Sequence, residues 1–220
     1  MCRRLRSATH VFYMAFYRID SPADGVRLGL WKIEESLDDF STCDVFDSVC
    51  AAYANDKRRL EILCTYALLW HMTGDHTLRI AHDASGAPHL CGVEASAALP
   101  RLGISHTTGW VAVILGYGCR VAVDIERVSN RVSRVAAKFL RSDEPFDDVD
   151  TQMVAWCAKE TVYKLLPEFK LVFDDMRVSR SGQEEAQGCI DVDVMRHEHE
   201  SVVAHFSRNE EYELVWSTLI

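Results

Sequence analysis

Arg120-Val121-Ala122-Val123-Asp124-Ile125-Glu126 reads as a β-strand that runs into acid. Alternate residues of a strand share a face. Val121, Val123 and Ile125 then point into a core, while Ala122, Asp124 and Glu126 point the other way. Two carboxylates on one face repel each other unless a cation lies between them, and a hard divalent ion with oxygen ligands relieves that cost. A plainer reading is an acidic strand end paired with Arg120 or Arg127. Glu160 stands 34 residues after Glu126, in Trp156-Cys157-Ala158-Lys159-Glu160-Thr161-Val162-Tyr163-Lys164. On a helix, Glu160 and Lys164 share a face and Trp156 lies one turn before them. Val154, Ala158, Thr161 and Leu165 form an apolar stripe on another side. An exposed Glu-Lys pair would explain two of these residues. A third carboxylate completing a magnesium site, with Lys159 and Lys164 supplying positive charge to a phosphate, explains the set.

Outward from this stretch, Asp148 to Leu166 reads as a long helix stopped by Pro167. A shorter helix runs from about Val132 to Leu140, and strands follow near 170–178, 189–195, 201–206 and 211–218. The first half has the same order. Strands at Val11–Arg18 and Val26–Ile33 precede a weakly patterned stretch, Phe40–Val49. A helix from about Lys57 to Met72 follows, with Leu60, Leu63, Cys64, Ala67, Leu68 and His71 at helical spacing, an Asn55-Asp56 cap and a Thr73-Gly74 stop. Short strands at 78–82 and 89–91 and a strong one at Trp110–Leu115 complete it. The expected fold is α+β, two similar lobes of one helix and a small antiparallel sheet each, residues 1–117 and 118–220, with a ligand cleft between them.

Composition narrows the function. The chain has 220 residues, 48% hydrophobic and 26% charged, and a net charge of -9. That charge argues against nucleic acid as a partner, and no apolar run is long enough to span a bilayer. The basic start, Met1 to Arg6, reads as a ragged end before a strand and not as a signal peptide. Eight cysteines without a Cys-x-x-Cys pair read as reduced thiols of a cytoplasmic protein. His197-Glu198-His199 reads as a loop, lacking a third zinc ligand at useful spacing. Gly-x-Ser-x-Gly, phosphate-loop and Rossmann glycine motifs are absent from the sequence. Ser105-His106, placed just before the strand at Trp110, could bind phosphate oxygens or simply cap a turn.

Gly86-Ala87-Pro88, Ser105-His106-x-x-x-Trp110, Val123-Asp124-Ile125-Glu126 and Trp156-x-x-Lys159-Glu160-x-x-x-Lys164, in that order, resemble the 4′-phosphopantetheinyl transferases. The monomeric, two-lobed type that activates peptide and polyketide synthetases is the nearer likeness; the trimeric holo-acyl-carrier-protein synthases are far shorter. The resemblance spans residues 57–175. It implies a pseudo-two-fold fold, coenzyme A as co-substrate, Mg2+, and transfer of phosphopantetheine to a serine of an apo acyl or peptidyl carrier protein, releasing adenosine 3′,5′-bisphosphate. It implies Asp124, Glu126 and Glu160 as metal ligands and Ser105, His106, Lys159 and Lys164 as coenzyme A contacts. Glu160 would be the base for the incoming serine, and Lys164 would stabilise charge on the phosphates. Ala122 stands where the family commonly has glycine, so its methyl group is expected to crowd the pyrophosphate. Ala87 stands where the family has lysine, which implies weaker coenzyme A binding unless Arg79 or Arg101 takes over, and Arg58 and Arg59 match basic residues near the first helix. A non-catalytic homologue and a metal-dependent pyrophosphate hydrolase are the rival readings.

Arg127, Arg131, Arg134, Lys138 and Arg141 are spaced 4, 3, 4, 3 with no acid among them. On a helix they form one basic face beside Val128, Val132, Val135 and Phe139. Five positive charges in a chain of net -9 leave -14 for the remainder. An acidic carrier protein would dock on such a face; a merely solvated face is the alternative.

Overall fold

The computed structural model describes residues 16–92, 99–181, 186–195 and 200–220. The chain is α+β. Strands β1 (Phe16–Ala23), β2 (Val26–Lys32), β5 (Arg101–Thr107) and β6 (Trp110–Gly116) form a four-stranded antiparallel sheet in the order β1-β2-β6-β5. Strands β7 (Arg120–Arg127), β8 (Met176–Ser181), β9 (Gln187–Val194), β10 (Glu200–Arg208) and β11 (Tyr212–Leu219) form a second, in the order β7-β11-β10-β9-β8. A separate hairpin pairs β3 (Arg79–His82) with β4 (Pro88–Cys91). The chain passes from the first sheet to the second through Tyr117–Cys119.

One long helix covers each sheet. Helix α2 (Asp56–Thr73) is started by Asn55, whose side chain accepts from Arg58 N at 3.1 Å, and ended by Gly74 in the left-handed region at φ 71. Leu63, Cys64, Ala67, Leu68 and Met72 bury against Trp31, Val111, Val113 and Leu115. Helix α4 (Val149–Leu165) starts at Asp148, which accepts from Thr151 N at 2.9 Å. It buries Val154, Ala158, Val162 and Leu165 against Ala122, Val192, Ala204 and Val215. A third core lies between the sheets, where Val121, Val123, Ile125, Leu214 and Trp216 meet Leu28, Leu30, Trp110 and Ile114. The alternation expected of β7 holds: its valines and Ile125 enter this shared core and its carboxylates face α4. Among the described residues no helix is long and apolar enough to cross a membrane, and the seven described cysteines are all free.

Several expectations are corrected. Ser105 and His106 lie inside strand β5, paired with Ala112 and Val111 of β6, and not ahead of a strand. Helix α1, Phe46–Ala52, begins inside the stretch Phe40–Val49 that reads as weakly patterned. The strand expected near 170 begins at Met176, because two 3-10 turns, Pro167–Phe169 and Phe173–Asp175, and a left-handed Lys170 at φ 47 precede it. The basic segment is not one continuous helix. Helix α3 spans only Arg131–Val135, and a 3-10 turn, Ala136–Lys138, follows. The β-branched Val132 and Val135 and like charges at i,i+3 and i,i+4 disfavour a longer helix, and Asn130 makes no side-chain cap. Arg127 closes β7, so it belongs to a different element. His197-Glu198-His199 and residues 11–15 of the first expected strand lie outside the described residues.

Candidate active site

Strands β5 and β7 meet edge to edge where the two sheets join. Gly103 permits the approach: a Cβ there would meet Ile114 at 2.6 Å and the Ala122 Cα at 3.4 Å. With the strands this close, side-chain hydroxyls of β5 replace part of a backbone ladder. Ser105 Oγ accepts from Ile125 N at 3.3 Å, and Thr107 Oγ1 accepts from Arg127 N at 3.1 Å. The same hydroxyls donate to the acids, Ser105 to Asp124 Oδ1 at 2.9 Å and Thr107 to Glu126 Oε2 at 3.3 Å. Ile104 and His106, on the opposite face of β5, turn towards α2.

Lys164 completes the seam from α4. Its ammonium donates to Asp124 Oδ1 at 2.6 Å, to Val123 O at 3.2 Å and to Ser105 Oγ at 3.3 Å. Asp124 is 4% exposed, and its second oxygen, Oδ2, is buried without a hydrogen-bond partner. Burial, and then the Asp124 charge, hold both Glu126 and Glu160 above the ordinary glutamate range; Lys164 opposes this in each. Trp156 acts on the Glu126 pKa in the lowering direction and packs edge-on against Phe139 and tilted against Phe173. Beneath Asp124, burial and that carboxylate keep the Cys157 thiol neutral. The three acids expected from the sequence thus interact around Asp124. Among the described residues, however, no three His, Cys, Asp or Glu side chains already stand at metal-binding distances. An orphaned buried carboxylate oxygen beside two acids that repel it is a donor set of the kind a hard divalent cation satisfies.

A cleft of about 780 Å³ opens beside this seam. Arg58, His106, Lys164 and Lys170 bring positive or polar groups to its wall, Tyr66 and Ile80 apolar surface. Lys164 therefore touches both the cleft and Asp124. His106 is partly buried, with Nδ1 3.4 Å from Glu61 Oε2 and Nε2 against Arg58. Burial lowers its pKa, and the pull of Glu61 in the other direction does not compensate.

The Lys159 expectation is overturned. Its side chain is 0% exposed, and its ammonium donates to Glu144 Oε2 at 2.8 Å, Phe139 O at 2.7 Å and Phe173 O at 3.4 Å. With its protons committed inside the protein it is a structural staple and not a cleft cation. Ala122 is 2% exposed and packs under α4, so its methyl group does not crowd the cleft. Ala87 does line it, but neither expected substitute does. Arg79 donates to His76 O and Leu78 O and lies over Trp70, and Arg101 is exposed at the start of β5. Arg59 is tied to Tyr53 O, Cys50 O and Asp56. Arg58 and Lys170 supply the charge instead. Glu61 and Thr107 were missed by sequence reasoning; the available signal for Glu61 was an acid set between Leu60 and Leu63 on an otherwise apolar face.

Residues 120–215 match the model of the 4′-phosphopantetheinyl transferase superfamily. This segment belongs to that superfamily. No curated protein matches the chain. The matched segment holds Asp124, Glu126, Glu160 and Lys164. Ser105, Thr107 and His106 reach it from the preceding sheet, outside the match. Members of the superfamily transfer phosphopantetheine.

Proposed function

We propose that this phosphopantetheinyl transferase moves the 4′-phosphopantetheine arm of coenzyme A to a serine of an apo acyl or peptidyl carrier protein, releasing adenosine 3′,5′-bisphosphate. The observation that carries the reading is the buried, unpartnered Asp124 oxygen beside Lys164, whose side chain lines a cleft large enough for a nucleotide. Asp124, Glu126 and Glu160 would hold a divalent ion, magnesium in this reading, which supplies charge neutralisation to the pyrophosphate. Lys164 would donate to phosphate oxygens from the position where it now donates to Asp124. Glu160, a stronger base than an exposed glutamate because of burial and Asp124, would accept the serine proton. The serine oxygen then bonds to the phosphorus of the arm, and the bond to the adenosine bisphosphate oxygen breaks. Such a reaction depends on positioning and charge stabilisation, which is what this seam offers. His106, Ser105 and Arg58 would contact coenzyme A.

The test combines coenzyme A, Mg2+ and a panel of apo carrier proteins, read by intact mass. A gain of one phosphopantetheine, lost with chelator and in Glu160→Gln, is expected. Absence of any gain across the panel sinks the transferase reading, and release of free phosphopantetheine without a carrier points to a pyrophosphate hydrolase.

A further inference from the structure

Glu61 is an acid inside the covered face of α2, and its side chain is 8% exposed. A buried carboxylate is costly unless it is paired and hydrogen-bonded. Its pairing is concentrated on the cleft wall. Arg58 Nη1 donates to Glu61 Oε2 at 3.2 Å from one turn earlier on the same helix. His106 Nδ1 reaches the same oxygen at 3.4 Å from β5. Lys57 Nζ stands 3.9 Å from Oε1 and donates to Thr108 Oγ1 at 3.1 Å, in the turn that follows β5. Arg58 also meets His106 Nε2 and lies over the Tyr53 ring. An arginine has no acceptor, so Nε2 accepts and the imidazole proton sits on Nδ1, facing Glu61. Arg58 and His106 both line the cleft; Glu61 does not.

We infer that Glu61 is a positioning residue, whose buried carboxylate holds Arg58 and one tautomer of His106 together on the cleft wall for an anionic, phosphate-bearing ligand. The identity of that ligand as coenzyme A rests on the proposed function; the arrangement of the three side chains does not. Two physical effects oppose each other at this site. A carboxylate near a phosphate repels it, so a Glu61 that acted only through charge would weaken binding, and its removal would tighten it. A Glu61 that orients Arg58 as the donor, with His106 braced against it, would on removal release both to compete with water.

The experiment uses the full chain and Glu61→Gln, with Glu61→Asp as a second variant that keeps the charge and withdraws the carboxylate. Coenzyme A is titrated calorimetrically, and His106 is followed by ring 15N NMR. Both variants are expected to weaken coenzyme A binding about tenfold, the loss of one hydrogen bond to a charged group, with the kinetic loss falling on KM for coenzyme A and not on kcat. In wild type the ring nitrogens report the Nδ1–H tautomer, and in Glu61→Gln they report a mixture. Equal or tighter binding by Glu61→Gln, or an unchanged His106 spectrum, overturns the inference. If wild type itself fails to bind coenzyme A, the proposed function falls, and the His106 spectra of the two proteins still decide the part played by Glu61.

Discussion

Glu213 shows how one buried acid can set the pH response of a whole protein. It lies on β11 directly opposite Glu126 and is 0% exposed. One oxygen accepts from Arg208 Nε at 2.8 Å and the other has no partner. Burial raises its pKa to about 7 and outweighs the Arg208 bond, because Arg208 also pairs with Asp150 at 2.9 Å. Between its ordinary value and 7, the folded state holds a proton that the unfolded state has released. Stability therefore falls as pH rises through that window. A difference of one bound proton costs ~1.4 kcal/mol over each pH unit, so about 2–3 kcal/mol is lost between pH 5 and pH 8. Glu213→Gln should flatten this slope. Urea midpoints of both proteins at pH 5 and pH 8 check it, and parallel slopes would dismiss the effect. Lys164 is the contrasting residue. It offsets a buried acid at the site itself, so Lys164→Met should leave Asp124 with an uncompensated charge and abolish transfer at any pH, measured as carrier modification under saturating coenzyme A.

At the scale of elements, α4 is held by more than its apolar stripe. Glu144 accepts from Lys159 Nζ, from Arg141 N at 2.6 Å and, through Oε1, from Val178 N at 2.6 Å. One carboxylate thus ties α4, the segment after α3 and β8. Lys159→Met strands that carboxylate and should cost about 3–5 kcal/mol; Glu144→Gln with Lys159→Met should recover only part of it, since the amide removes the buried charge but its NH2 cannot accept from one of the two backbone N–H groups, Arg141 N or Val178 N. Chemical denaturation of the single and double variants decides this. The same staple explains why the sequence misleads about Lys159. Its place beside Glu160 suggests one shared role, but adjacent helix residues point about 100° apart, and its partner lies 15 residues away in a loop without pattern. The period of β7 and the spacing of Glu160 and Lys164 are readable because each is local. Strand β5 is obscured by Gly103 and a polar Ser-His-Thr run, whose partners lie 19 or 20 residues on, across a seam between sheets. Arg131, Arg134 and Lys138 remain exposed although the continuous helix does not form. They sit just past β7 and its carboxylates, so an acidic carrier docked there would bring its serine to the site. Arg131→Glu with Arg134→Glu should slow carrier modification, more so at low salt, while calorimetric coenzyme A affinity stays within about twofold of wild type.

At the scale of the whole molecule, the two halves share too much apolar surface to stand alone. Val121, Val123, Ile125, Leu214 and Trp216 are buried from water by β2 and β6 of the other sheet. Fully burying each large apolar side chain contributes about 1.5–3 kcal/mol, so exposing this set would remove much of the roughly 5–15 kcal/mol that typically separates folded from unfolded. Polar bonds cross the same boundary. Glu211, in the turn before β11, accepts from Lys32 Nζ at 2.9 Å and from Trp110 Nε1 at 3.1 Å, and Lys32 lies over the Trp110 ring. The site inherits this coupling, because Ser105 and Thr107 come from one sheet and Asp124 and Glu126 from the other. A divergence of the two sheets by even one hydrogen-bond length would release the hydroxyls from the acids. The chain should therefore melt in a single calorimetric transition whose calorimetric and van't Hoff enthalpies agree, and residues 118–220 expressed alone should be insoluble or molten, with a red-shifted Trp216 emission. Glu211→Gln should lower the melting temperature of the whole chain without splitting the transition. Two resolved transitions, or a soluble and cooperatively folded 118–220 fragment, would mean that the seam joins independent units and that the geometry around Asp124 is free to open during turnover.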